Sequence, residues 1–112
     1  MQRSDSQRAC DMLTEIDDIA EFVEGYDIHS FLADRRTMKA VAYSLQVMGE
    51  AARGTSLQFK ADHAEVPWAK IVGMRHRIAH EYGAVNFRIV WAVALEDLPG
   101  LRAALQSLAE DQ

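Results

Sequence analysis

Between Met74 and Gly83 the chain reads Met-Arg-His-Arg-Ile-Ala-His-Glu-Tyr-Gly, which places Arg75, His76, His80 and Tyr82 within one short stretch. Arginine keeps its charge at any physiological pH, and its planar fork matches the oxygens of a phosphate. Histidine titrates near pH 6.5, so it can take or give a proton at neutrality. An Arg and a His five positions apart therefore offer anion stabilisation beside acid–base catalysis, the two needs of phosphate-ester chemistry. With nine Arg and four His in the chain, chance would produce an Arg-x4-His about 0.3 times, and requiring the Tyr reduces that to about one in a hundred. The same residues would also serve as cations opposing the dipole at a helix C-terminus. His76 and His80 share a helix face and could supply two metal ligands, but a third would have to be Glu81 or come from elsewhere. No metal and no cofactor is expected.

The rest of the composition narrows the setting. A chain of 112 residues, 49% hydrophobic and 26% charged, suits one domain with a real core, here residues 1–112. No apolar run is long enough to span a bilayer, and the polar start, Met1 to Arg8, lacks the apolar centre of a signal peptide. The single Cys10 can form no internal disulfide and reads as a small buried side chain, so a cytoplasmic protein is expected. Net charge is −5, against a general nucleic-acid coat. The charge is uneven, however: residues 1–34 carry nine acids against Arg3 and Arg8, whereas residues 35–112 carry ten basic and eight acidic groups. Within 66–90, Lys70, Arg75, Arg77 and Arg88 face Glu81 alone. Local contact with phosphate through Lys70, Arg77 and Arg88 fits that balance.

Helices must position these groups, because helical periodicity runs through the chain and strand alternation does not appear. Ala9, Met12, Leu13, Ile16, Ile19, Ala20 and Val23 form the first stripe, with Ser4 or Asp5 at its start and Gly25 at its end. Tyr26 to Ser30 reads as a connection, followed by Phe31 and Leu32 packing ahead of Asp34, an N-cap. Met38, Val41, Ala42, Leu45, Met48, Gly49 and Ala52 form the second stripe, stopped by Gly54; Gly49 would allow a neighbouring backbone to approach. Residues 55–66 read as a loop with one short helical turn. Pro67 opens a third helix to about Tyr82, with Gly83 as its stop. Asn86 caps a fourth, with Phe87, Val90, Trp91, Ala94, Leu95 and Leu98 inward. Pro99 should kink the chain or begin a short fifth helix carrying Leu101, Ala104, Leu105 and Leu108. The expected fold is all-α: an antiparallel four-helix bundle with a short C-terminal fifth helix after the Pro kink. Leu13, Ile16, Leu45, Met48, Val72, Trp91, Leu95 and Leu105 are expected to be largely buried. His29 and His63 read as surface histidines, and Trp68 and Trp91 as core anchors.

Several of these segments together resemble the HEPN domains, and within them the HepT branch, whose motif is Arg-Asn-x3-His-x-Tyr. The resemblance is carried by Phe31-Leu32-Ala33-Asp34-Arg35-Arg36-Thr37, Gly49-Glu50-Ala51-Ala52, Pro67-Trp68, Arg75 to Gly83, Phe87-Arg88-Ile89-Val90-Trp91 and Asp97-Leu98-Pro99. His76 stands where that branch usually has Asn, although related HEPN proteins carry other polar residues there. The resemblance implies a metal-independent endoribonuclease toxin of a toxin–antitoxin pair, with Arg75 and His80 catalytic and His76 a supporting polar group. It also implies a cognate nucleotidyltransferase antitoxin of the MntA type, which attaches AMP to Tyr82. A non-catalytic module that binds a nucleotide or partner beside a separate nucleotidyltransferase is the other function such domains serve. An intact Arg-x4-His favours the ribonuclease.

Helix geometry adds an expectation about assembly. Five residues turn by about 500°, which leaves Arg75 and His80 about 140° apart on one straight helix. A two-fold dimer that sets two such helix ends face to face would gather two Arg and two His in one cleft. HEPN ribonucleases are understood to build their sites in that way, so a homodimer acting on RNA is expected.

Overall fold

Side-chain caps decide where the helices begin. In the computed structural model, residues 3–78 and 85–110 are described, with only the backbone for Arg75, Ala109 and Glu110. Ser4 caps α1 (Asp5–Val23): its hydroxyl accepts from Gln7 N–H, and the Gln7 side chain reciprocates on Ser4 N–H. This capping box satisfies donors the first helical turn leaves unpaired. Beyond the Glu24 C-cap, Gly25 takes φ 80°, a left-handed conformation that suits glycine.

The stretch read as a connection instead enters a helix, α2 (Ile28–Ala33). Asp27 and Ser30 form a second reciprocal capping box, and six residues are too few for a period to show in sequence. Asp34 then caps α3 (Arg35–Gly54) by accepting from Thr37 N–H. The Asp34 carboxylate also accepts from the Tyr26 hydroxyl at 2.5 Å and the Thr37 hydroxyl at 2.8 Å. These bonds, the Tyr26 bond foremost, hold its pKa down at about 2. The short turn expected within 55–66 is α4 (Leu57–Asp62), capped by Ser56. Ser56 donates from both its backbone and its hydroxyl to Asp5 at 2.9 and 2.7 Å, tying the start of α4 to the start of α1.

Trp68 opens α5 (Trp68–Ile78) directly after Pro67, and its indole N–H donates to the His63 carbonyl. Asn86 caps α6 (Phe87–Ala92), accepting from the N–H groups of Arg88 and Ile89. The break anticipated at Pro99 is a π-helical turn, Val93–Asp97, that leads without interruption into α7 (Leu98–Glu110). Leu98 N–H donates five residues back to the Val93 carbonyl. A proline cannot donate and crowds the carbonyl four residues before it, so the wider turn lies where an α-helical turn would meet the Pro99 ring. At 13 residues α7 is the longer half of this last helix.

Helix α1 packs along both α3 and α7, α3 along α5, and α6 contacts α2, α3 and α5. The described residues therefore form an all-α bundle without strands. Its core joins Met12, Ile16, Phe31, Leu45, Met48, Ile71, Met74, Val90, Leu101 and Leu105. Leu13, Val72 and Trp91 are only half-buried, packed against that core. Leu95 departs from expectation: it is 46% exposed, while Val93 is fully buried. A π turn carries an extra residue, so the helical phase slips after Ala92 and Val93 takes the inward position. Cys10 is half-buried rather than fully enclosed. No helix among the described residues is long and apolar enough to cross a membrane.

Candidate functional site

Two contacts tie α6, the helix that follows the Arg75–Tyr82 stretch of the sequence, to its neighbours. Phe31 of α2 lies against Trp91 of α6, ring centroids 5.1 Å apart. Asn86 N–H, just before α6, donates to the carbonyl of Ile78, the last described residue of α5. The end of the described part of α5 therefore meets the start of α6, and α2 packs on α6. Arg75 lies in α5 close to that end, and His76 beside it is exposed. His80 and Tyr82, with Glu81 and Gly83, lie outside the described residues, as does the side chain of Arg75.

The three cations expected at phosphate separate into two kinds. Lys70 and Arg77 stand seven residues apart, two turns of α5, and so share a face. Both point to Asp97 in the π turn: Lys70 Nζ lies 3.2 Å and Arg77 Nη1 3.1 Å from its carboxylate oxygens. Burial pushes the Asp97 pKa up, but hydrogen bonds from Arg77 and Lys70, with their charges, outweigh it and hold it below the usual carboxylate value. Arg88 is exposed on α6 and has no carboxylate partner among the described residues. Asp97 is thus the shared partner of both cations, which spacing alone did not reveal. The signal was the Asp-Leu-Pro run, whose role appears only when the π turn brings the carboxylate against α5.

The other candidates fall into structural roles. Trp68 is a buried anchor whose ring stands edge-on to Phe59 at 6.2 Å. His63 closes α4 with its ring 4.5 Å from Phe59 and its Nδ1 3.7 Å from Glu65, and His29 is exposed on α2.

An all-α bundle whose sequence carries Arg75-x4-His80, with Arg75 in α5, fits a HEPN-type domain. The family model for HepT-like ribonucleases matches residues 12–108, nearly the whole chain, and the protein belongs to that family. A protein of Thermococcus cleftensis described as a probable ribonuclease HepT is 33% identical over 108 residues, covering 96% of this chain and 98% of its own. One from Caldanaerobacter subterraneus subsp. tengcongensis, described as a candidate RNase, is 33% identical over 101 residues, 90% of each chain. Another candidate RNase, from Methanocaldococcus jannaschii, is 30% identical over 101 residues, 90% of this chain and 84% of its own. No solved structure matches the chain.

Proposed function

We propose that this protein is a metal-independent endoribonuclease, the toxin of a toxin–antitoxin pair, acting in the cytoplasm as a homodimer. Membership of the HepT-like family across residues 12–108, with Arg75 and His80 at the family's spacing, carries the reading. The RNA supplies its own nucleophile. A 2′-hydroxyl loses its proton to one His80 imidazole and attacks the adjacent phosphorus. The bond to the 5′-oxygen then breaks, and that oxygen takes a proton from the imidazolium of the other copy. The products are a 2′,3′-cyclic phosphate and a 5′-hydroxyl. Arg75 stabilises the crowded anionic phosphorane between these steps. His76 supports the site as a polar neighbour, and Arg88 is the phosphate contact left open by the pairing of Lys70 and Arg77 with Asp97.

Control comes from a nucleotidyltransferase antitoxin. The Tyr82 phenol oxygen attacks the α-phosphorus of ATP, pyrophosphate leaves and the phenolic proton passes to solvent. The adenylyl group then places bulk and negative charge beside Arg75 and His80, where the RNA phosphate must bind.

Incubation of the purified protein with single-stranded RNA in EDTA tests the activity. Fragments ending in cyclic phosphate are expected. A protein that binds a nucleotide or the antitoxin but cleaves no RNA is instead the non-catalytic module, and cleavage that EDTA abolishes would remove the metal-free mechanism.

A further inference from the structure

Helix α3 has an outward face unlike the rest of the surface. Arg35, Arg36, Lys39, Tyr43 and Gln46 are all exposed, and at 100° per residue they fall within about 100° of the helix circumference. Tyr43 is 69% exposed, and its hydroxyl has no partner among the described residues. No acid occurs from residue 35 to residue 49. Asp34, next to these cations, is turned to Tyr26 and Thr37. Elsewhere Arg88 stands without a carboxylate partner among the described residues, while other exposed cations are compensated: Arg3 by Asp11, Arg102 by Asp17, and Lys70 and Arg77 by Asp97. Arg35, Arg36 and Lys39 have no carboxylate partner among the described residues.

Three uncompensated cations beside a bare aromatic ring contribute nothing to packing, and in a chain of net charge −5 they are conspicuous. A positive track with an aromatic platform is the pairing that single-stranded nucleic acid requires: phosphates meet the cations while a base stacks on the ring. A second copy of this chain fits the face poorly, because a two-fold contact would set like charges against each other. The cationic half of α3 directly follows α2, which packs on α6 through Phe31 and Trp91.

We propose that the outward face of α3 from Arg35 to Tyr43 is a subsite for single-stranded RNA, in which Tyr43 stacks one base and Arg36 and Lys39 hold the adjoining phosphates. The subsite rests on the ribonuclease reading and extends it: the substrate is an unpaired strand held on both sides of the cleaved bond. Because the face reads backbone and stacking, it binds with little preference for base sequence.

Fluorescence anisotropy of a labelled single-stranded oligoadenylate on the full-length protein, with cleavage kinetics in parallel, tests the subsite. Tyr43→Ala should weaken binding about tenfold, whereas Tyr43→Phe should keep the parent affinity. Arg36→Gln combined with Lys39→Gln should lower the slope of log affinity against log salt by about 1.4, two phosphates' worth on a single strand. In cleavage, Tyr43→Ala should raise KM with kcat retained. Variants with the parent's affinity, salt slope and KM would overturn the subsite while leaving the ribonuclease standing. Dissociation of an oligomer by these substitutions would make the face a protein interface and also overturn it. A parent protein that neither binds nor cleaves RNA would remove the ribonuclease reading itself, and the subsite with it.

Discussion

Arg77 donates a hydrogen bond to Asp97 at 3.1 Å, joining the last turns of α5 to the π-helical turn. Lys70 reaches the same carboxylate from two turns earlier. One acid therefore spans the exposed edge of the helix that carries Arg75. Asp97→Asn should lower the unfolding free energy by about 1 kcal/mol, read as a lower urea midpoint with an unchanged m-value, since both cations are half-exposed and screened. The loss should shrink in high salt. A midpoint equal to the parent's at low salt would mean that the clamp contributes nothing to stability.

Asp34 supplies a pH signature. Its folded pKa of about 2 lies below the ordinary 3.8, so its contribution to stability is fully present above about pH 4. It is lost as pH falls through the folded value. Tyr26→Phe removes the first cause of the shift and should move the Asp34 carboxyl back toward 3.8. Carbon-detected NMR titration of that carboxyl in both proteins gives the answer directly.

Catalysis should depend on two side chains. His80→Ala and Arg75→Ala are each expected to abolish RNA cleavage and growth inhibition, with helical content by circular dichroism unchanged. His76→Asn should remain active, because it restores the residue usual in the HepT branch. Native-rate cleavage by His80→Ala would end the assignment.

The separation of about 140° that an ideal helix would give Arg75 and His80 is the ground for proposing that a second copy completes the cleft. Light scattering at micromolar concentration should report a dimer. A stable monomer that still cleaves RNA would mean that one chain builds the whole site.

Modification of Tyr82 is testable by intact mass. Co-expression with the cognate nucleotidyltransferase should add one or more AMP units and silence the ribonuclease, and Tyr82→Phe should escape if the phenol is not needed for cleavage. An unmodified Tyr82 in a fully silenced complex would assign the silencing to binding alone.

Much of the bundle was legible in the sequence because caps and stripes are local. Ser4, Asp34 and Asn86 each act on donors two or three residues away, and the α1 and α3 stripes repeat with the period of the helix that buries them. The Arg75–His80 pairing rests on spacing alone, and His80 lies outside the described residues. Tertiary structure decided what depends on phase or on distant partners. The π turn before Pro99 moves Val93 inward and Leu95 outward, a slip that a constant 3.6-residue period cannot express. Asp97 meets Lys70 and Arg77 only because that turn packs on α5, twenty or more residues away in the chain. Likewise, the charge of Arg35, Arg36 and Lys39 is written in the composition, but their lack of carboxylate partners among the described residues, beside an exposed Tyr43, is not. Pairing is settled by which helices pack together, and packing is a property of the whole core.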